Sequence, residues 1–277
     1  MNELMKPLTA LLASIPVLIL WYAVFAALER LSPAVAHKPL RRWVFNIATA
    51  VFYMLIGGVA AVIGGMVKAA LHGGLIDLRI RNTTGILGGV AATLLFFLIF
   101  DFFYYWWHRT QHKLPALWAI HKLHHLDEGV NVSTNLRHHW LEELGRIPFI
   151  VIPMAILFDL SPQAGGAIGF VVSAWGFFFH SNLRLNLGPF SWILSAPQVH
   201  RIHHSRLTEH FDRNFAAFFP IWDVIFGSYF HPRRGEFPPT GIAGEPDVTT
   251  VLDGALLPFR TWRQALRARS ARASLLR

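Results

Sequence analysis

Three long apolar stretches restrict most strongly what this chain can fold into. They cover residues 8–28, 43–70 and 84–107 of the 277-residue chain. A helix of about 20 apolar residues crosses the roughly 30 Å hydrocarbon core of a bilayer. The chain is 53% hydrophobic and only 15% charged, which excludes a typical soluble globular protein and a disordered chain. We therefore predict an all-α fold, a multi-pass transmembrane helical bundle.

Two shorter apolar segments and a basic tail follow the third stretch. Segments 147–160 and 164–179 are separated by Ser161-Pro162 and predict a helical hairpin that enters the bilayer and returns. Two buried core helices are the alternative, because segments this short fit either structure. After a loop rich in proline and glycine over 232–247, arginines alternate with apolar residues at helical spacing. This pattern is typical of a basic amphipathic helix on an anionic membrane surface, or of a frayed, solvated tail.

The loop charges predict an orientation. The two richer loops carry Arg30, Lys38, Arg41 and Arg42, and then Arg109, Lys113, Lys122 and Arg137, whereas the loop between the second and third spans carries Arg79 and Arg81. Loops rich in Lys and Arg stay in the cytoplasm. We therefore expect an integral membrane protein with its N-terminus outside and a cytoplasmic helical cap. The membrane would be the inner membrane of a bacterium or the endoplasmic reticulum of a eukaryote. The net charge of +9 is consistent with anionic lipid, and no nucleic-acid partner is expected.

Histidine is concentrated in one part of the chain. Eleven of the 15 histidines lie between positions 108 and 204, and eight of them form three clusters. The clusters are H-x-x-x-H at His108 and His112, H-x-x-H-H at His121, His124 and His125, and H-x-x-H-H at His200, His203 and His204. Residues i, i+3 and i+4 share a helix face, so each cluster directs its imidazoles to one point. Pro115 is expected to break the helix between the first two clusters.

The number of imidazoles predicts two metal ions. Eight rings exceed the needs of one ion, since zinc takes about four ligands and non-haem iron about five or six. The chain has no cysteine, which excludes thiolate ligands and iron–sulfur clusters. Three carboxylates near the clusters are candidates to orient the rings and offset the metal charge: Asp101, Glu142 and Asp212. The alternatives are an interfacial carboxylate, a helix-surface glutamate and a turn aspartate.

The clusters and their surroundings resemble the fatty acid hydroxylase / sterol desaturase superfamily of membrane di-iron oxygenases. The resemblance covers residues 95–231 and rests on DFFYYWWHRTQH (101–112), LWAIHKLHH (117–125), NLRHHWLE (135–142), FHSN (179–182), HRIHH (200–204) and DRNFAAFFPIWDVIFGSYF (212–230). Leu126 and Phe215 depart from the serine and tyrosine common in that family, and Ser228 from its threonine. None of these departures removes a histidine.

The resemblance implies a site and an activity. We predict N-terminal transmembrane spans over 1–83, a catalytic domain resembling this family over 84–231, and a loop with a basic amphipathic tail over 232–277. The implied metal ligands are His108, His112, His121, His124, His125, His138, His180, His200, His203 and His204, with His139 less favoured. The implied cofactors are two Fe²⁺ ions with O2 as co-substrate, and zinc is a possible substitute in purified protein. The implied reaction is hydroxylation or desaturation of a C–H bond in a membrane lipid.

Partners and rival functions follow from what the motifs contain. We find no glycine-rich dinucleotide fingerprint, so a separate electron-donor protein is expected. Lys113, Lys122 and Arg137 could form its docking face or a solvated basic face. The lipid is expected to enter from the bilayer, because the aromatic end of the third span leads into His108. A metal-binding or transport protein without redox chemistry is the alternative function, and a b-type cytochrome is a further rival.

Overall fold

Long helices make up most of the fold, and short helices and loops link them. The computed structural model describes residues 6–36, 40–72, 74–77 and 85–275. The helices are α1 Lys6–Leu31, α2 Leu40–Ala70, α3 Gly85–Lys113, α4 Pro115–His125, α5 Trp140–Arg146, α6 Ile152–Leu157, α7 Pro162–His180, α8 Pro197–His203, α9 Ile221–Ile225 and α10 Val251–Leu275. Short 3-10 turns span Val132–Leu136, Gly188–Trp192 and Thr208–His210, and a π-helical turn spans Ile147–Val151. Two-residue strands β1 Ile76–Asp77 and β2 Phe158–Asp159 pair in parallel. The all-α prediction is confirmed, with this strand pair as the addition.

Three helices in the described part of the chain are long and apolar enough to cross a membrane. The segments are Leu12–Leu31, Arg42–Ala70 and Leu87–Lys113, which confirms the multi-pass prediction. The predicted start of the third stretch, Thr84, lies outside the described residues. α3 continues past its predicted end at Trp107, so His108 and His112 lie on the last turns of this long helix. Pro115 then begins α4, a position where its missing N–H breaks no helical hydrogen bond.

Three of the charges used for the orientation lie outside the described residues. They are Lys38, Arg79 and Arg81. The side of the membrane that carries the histidines therefore stays a prediction.

The two shorter apolar segments are mostly helical. The chain runs through α5, the π-helical turn and α6, and α7 begins after a short break at Phe158–Ser161. The Ser161 hydroxyl accepts the Ala164 N–H at 3.1 Å and caps α7. α6 packs against α2 and α7 against α1. Phe149 and Phe170 are 38% and 39% exposed, so these segments are not fully buried core helices. The hairpin and its entry into the bilayer stay predictions.

Two fully buried charged side chains connect the loops that carry histidines. The Glu29 carboxylate accepts the backbone N–H groups of Val132 at 3.0 Å and Asn182 at 2.8 Å. The Arg137 guanidinium donates to the Leu123 carbonyl at 2.7 Å and to Asp247 at 2.6 Å. Such charges are stable inside a protein only when they are paired and hydrogen-bonded. Because Arg137 is completely buried, the prediction that it contributes to a docking face is wrong.

The basic tail is a helix that packs on α4. The Trp262 indole N–H donates to the Ala116 carbonyl at 2.9 Å, and the His139 ring donates to the Ala255 carbonyl at 3.1 Å. Residues 263–268 of α10 are exposed, including Leu266. The helix agrees with the amphipathic interpretation, and its contact with a membrane surface stays a prediction.

Close packing of α5 against α3 gives a first testable expectation. A Cβ atom at Gly145 would lie 2.3 Å from Cη2 of the Trp107 indole, whereas one at Gly166 on α7 meets nothing within 4 Å. Gly145→Ala should lower the free energy of unfolding by about 1–3 kcal/mol, as overpacked sites do. Thermal unfolding in detergent measures this, with Gly166→Ala as the matched control. Equal stability of the two variants would contradict the packing.

Candidate metal centre

All three predicted histidine clusters lie on helices, and each helix presents its rings towards the same centre. His108 and His112 lie near the end of α3, and His121, His124 and His125 on the last turns of α4. His200 and His203 lie on α8, with His204 as its C-cap. His180 is the last residue of α7. The clusters predicted from spacing are therefore brought together.

The rings divide into two groups whose nitrogens could each hold an ion. The five-histidine group contains His108, His112, His121, His125 and His203, and the four-histidine group contains His124, His180, His200 and His204. Within each group the potential ligand atoms lie within 4.8 Å of one another. The groups are neighbours, since the rings of His125 and His204 stack with centroids 4.4 Å apart. The arrangement fits the prediction of one site for two metals.

Each H-x-x-H-H motif contributes to both groups. Along a helix, a residue four positions on lies about 40° around the axis, whereas one three positions on lies about 60° the other way. His121 and His125 accordingly stay together in the five-histidine group, and His124 joins the other group. In the second motif, His200 and His204 belong to the four-histidine group and His203 belongs to the five-histidine group. Each motif therefore gives two rings to one group and one ring to the other.

Hydrogen bonds on the outer nitrogen fix the tautomer of several rings. Nδ1 of four rings faces a backbone carbonyl and Nδ1 of a fifth faces a carboxylate, and these oxygens can only accept. The pairs are His108 with Phe215 at 2.7 Å, His124 with Arg137 at 3.1 Å, His180 with Gly176 at 2.8 Å, His203 with Arg213 at 2.8 Å, and His121 with Glu142 at 3.2 Å. Each Nδ1 must therefore carry the proton. In the neutral ring Nε2 is then left with a lone pair, as a metal ligand requires.

The inner nitrogens face one another without a proton to share. Nε2 of His108 lies 3.1 Å from Nε2 of His121, and Nε2 of His124 lies 3.1 Å from Nε2 of His180. All four rings have already committed their proton to an outer acceptor, so neither contact is a hydrogen bond between neutral rings. Buried lone pairs that converge in this way repel unless a cation lies between them. The donor set therefore fits one metal ion in each group.

Burial keeps the rings in the neutral form that binds metals. Burial, followed by the influence of neighbouring imidazoles, holds the pKa values of His125, His200 and His204 well below their usual range. Burial likewise lowers the pKa of His203 to about 3. Metal ions then need not displace protons from these rings near neutral pH.

Glu142 connects two of the predicted ligands. One carboxylate oxygen accepts from Nδ1 of His121 at 3.2 Å and from Nδ1 of His138 at 3.1 Å. Burial alone would raise the pKa of this carboxyl, but His138 and His121 hold it well below its usual range. Glu142 is thus an ionised acceptor that orients the His121 ring. His138 lies outside both groups and stacks on His124 with centroids 4.4 Å apart.

Metal analysis of a His138 variant decides whether this ring is a ligand. Because His138 lies outside both groups, we expect His138→Gln to retain both ions, whereas His121→Gln should lose an ion from the five-histidine group. Inductively coupled plasma mass spectrometry of the purified variants measures this. If His138→Gln contains one ion fewer than wild type, His138 is a metal ligand, as the sequence predicts.

Asp101 anchors a loop and makes no hydrogen bond with a histidine. Its fully buried carboxylate accepts the backbone N–H groups of Ala217 at 2.8 Å, Phe218 at 3.2 Å and Phe219 at 2.6 Å. The same loop supplies the Phe215 carbonyl that accepts from His108. Asp101 therefore acts on His108 only through the loop.

Asp223 is a second loop anchor, which the sequence reasoning missed. Its carboxylate accepts the N–H groups of Phe215 and Ala216, both at 2.8 Å, and the Ser228 hydroxyl at 2.7 Å. The sequence did contain a signal for this anchor, namely a single aspartate, Asp223, within an aromatic-rich stretch.

The third predicted carboxylate lies at the edge of the five-histidine group. Asp212 lies 3.7 Å from Nδ1 of His112 and forms an ion pair with Lys113 at 2.5 Å. Its side chain is 41% exposed, so solvent weakens its influence on the ring. Asp212 has a positive φ of 59°, a conformation that Asp tolerates better than most residues.

Two cavities border the histidines. One of about 220 Å³ is lined by parts of α1, α2, α3, α5 and α7 and reaches His138 and His180. Phe100, Val172 and Phe179 supply part of its apolar wall. The other, of about 230 Å³, borders the five-histidine group. The centre therefore has space for a substrate on its bundle side.

Together these features define a helical membrane protein with two neighbouring histidine groups that could each hold a metal ion. Residues 93–228 match the model of the fatty acid hydroxylase family, which confirms the resemblance seen in the sequence.

Curated relatives come from three kinds of lipid enzyme. The chain is 38% identical over 122 residues to an alkylglycerol monooxygenase of Xenopus tropicalis, covering 44% of this chain and 27% of the relative. It is 32% identical over 138 residues to an ornithine lipid hydroxylase of Rhizobium tropici, covering 50% of this chain and 41% of the relative. It is 29% identical over 131 residues to a Delta(7)-sterol 5(6)-desaturase of Gibberella zeae, covering 47% of this chain and 35% of the relative. The matches thus span less than half of each of these relatives. No solved structure matches the chain.

Proposed function

We propose that the protein is an O2-dependent di-iron oxidoreductase that hydroxylates a C–H bond of a membrane lipid. The observation that carries the proposal is a cavity among the long apolar helices that reaches His180 of the four-histidine group, which itself adjoins the five-histidine group. The likeness to lipid hydroxylases and monooxygenases supports it. Desaturation is the alternative outcome of the same chemistry, supported by the likeness to a sterol desaturase.

The nine rings would hold two iron ions, which when bound supply the redox chemistry that activates O2. The chain's own contribution is to position and shield the site. Outer hydrogen bonds fix the direction of the rings, and the apolar wall of the cavity excludes water and holds a hydrocarbon. Each buried methylene group adds about 0.8 kcal/mol to binding, so the cavity favours a lipid chain.

Electrons would come from a separate donor protein. Of the basic residues predicted to receive it, Lys113 pairs with Asp212 and Lys122 with Glu245. Lys113 is 52% exposed, whereas Lys122 is only 12% exposed, so Lys113 is the better candidate for contact with a donor. We further propose the cytoplasmic side for the centre, from the distribution of loop charges.

Metal and lipid analysis together test the function. Purified protein should contain about two irons per chain, without porphyrin absorbance. Cells with the gene should contain a lipid with one added oxygen atom, or with two fewer hydrogens if the reaction is desaturation. Two bound metals without any altered lipid, in cells and with reduced donor and O2 in vitro, would instead support a metal-binding or transport protein.

A further inference from the structure

The cavity beside His138 and His180 is not uniformly apolar. It lies between α1, α2, α3, α5 and α7, where a lipid chain would find phenylalanine and valine side chains. Three of its lining residues, Gln111, Glu142 and Arg146, each have a buried polar atom without a hydrogen-bond partner among the described residues. A buried polar atom left unpaired costs about 1–3 kcal/mol. Three such atoms in the lining of one cavity indicate a ligand that satisfies them.

Gln111 is the most deeply buried of the three. It is 1% exposed and lies on α3 between His108 and His112. The spacing of Phe100, Tyr104, Trp107 and Gln111 places all four on one face of α3, and all four line the cavity. The Nε2 group of Gln111 has no partner in the described part of the chain. The helix thus supplies an apolar strip that ends in an unused amide donor, at the level of the metal ligands.

Arg146 and Glu142 extend this polar end of the cavity. Arg146 donates through Nη1 to the Tyr53 hydroxyl at 2.6 Å and to Glu143 at 2.9 Å, but its Nε has no partner. Glu142 uses one carboxylate oxygen for His121 and His138, and the other is unpaired. Two free donors and one free acceptor together match an oxygen that can both accept and donate, such as a hydroxyl group.

We propose that this cavity binds the oxygen-bearing end of a lipid and that the Gln111 amide donates a hydrogen bond to that oxygen. The proposal rests on the proposed function and names its substrate class. The oxidised carbon then lies within a few bonds of a hydroxyl or similar oxygen, and the hydrocarbon tail extends away from the metals. A plain hydrocarbon segment would leave all three polar atoms unsatisfied, so the site discriminates against mid-chain positions.

Binding of two matched probes tests this without turnover. The probes are tritiated hexadecan-1-ol and hexadecane, which differ by one oxygen atom. Their dissociation constants are measured by scintillation proximity with the full chain in nanodiscs, for wild type, Gln111→Met and Gln264→Met. Methionine keeps the unbranched length of glutamine and removes the donor. Gln264 is exposed on α10, so it gives a matched control. The ratio of variant to wild-type constants is compared for each probe, because partition into the bilayer then cancels.

The expected result is selective. Gln111→Met should weaken hexadecan-1-ol binding about tenfold and leave hexadecane binding within about twofold of wild type. Gln264→Met should change neither. Metal content is measured in parallel, and Gln111→Ala replaces the methionine variant if that variant loses metal.

Two outcomes overturn the proposal. One is equal loss of both probes, and the other is no effect on either, which would assign the unpaired atoms to internal water. Its failure is distinguishable from failure of the proposed function. Oxidation of hexadecane and hexadecan-1-ol at equal rates would support the proposed oxidase function and contradict recognition of the lipid oxygen. Selective binding of hexadecan-1-ol, with no product formed in the presence of reduced donor and O2, would support the recognition and contradict the oxidase function.

Discussion

Replacing Asp101 by asparagine will destabilise the protein and weaken its metal site, although Asp101 makes no hydrogen bond with a histidine. The buried carboxylate accepts from three consecutive backbone N–H groups, Ala217 to Phe219. Asparagine replaces one acceptor oxygen with an NH2 group that would face these donors. Hydrogen bonds to a charged group contribute about 1.5–3 kcal/mol each, so we expect the free energy of unfolding to fall by at least about 2 kcal/mol.

The effect on the metals follows from the same loop. Phe215 lies just before the anchored segment and accepts from Nδ1 of His108. Disturbing an outer partner of a metal-binding ring lowers metal affinity or activity about 10–100-fold. Thermal unfolding and metal titration of Asp101→Asn measure the two effects. Asp253→Asn is the control, because that carboxylate is exposed. Unchanged metal affinity in Asp101→Asn would show that Asp101 contributes to the stability of the fold and not to the metal site.

Much of the centre could be predicted from local spacing. Helical periodicity places residues i, i+3 and i+4 on one face, so the three clusters and the break at Pro115 follow from the sequence alone. Spacing predicted that each H-x-x-H-H motif directs its rings to one point, and this was wrong, because each motif is divided between the two groups. The division depends on ring contacts between the two motifs, such as His125 with His203 and His204, which spacing within one helix does not show. The long apolar stretches likewise predicted the spans, since length and composition suffice for them.

The remainder depends on contacts between residues far apart in the chain. Arg137 looked like a surface charge, yet it is buried against Leu123 and Asp247. Asp101 looked like an outer partner of His108 because it precedes it by two helical turns, yet it caps a loop 116 residues away in the chain. The polar end of the cavity was also invisible, because Gln111, Glu142 and Arg146 come from two helices that meet only in the folded protein.

Single-ligand variants should separate the two metal-binding groups. His203 and His204 are adjacent in the chain but belong to different groups. His203→Ala should remove the ion of the five-histidine group, and His204→Ala should remove the ion of the four-histidine group. Because the proposed chemistry needs both metals, activity should fall to background in either variant.

Metal content shows whether the groups act separately. About one ion per chain in each single variant is the expected result, measured beside His231→Ala, a control at an exposed histidine outside both groups. The double variant should then contain none. The stacking of His125 on His204 across the boundary adds a second expectation. His204→Ala frees one side of the His125 ring, so the remaining ion should bind more weakly than in wild type, as a chelator titration would show. Two ions retained in both single variants would contradict the assignment of these rings as ligands, and loss of both ions from either would show one cooperative site in place of two.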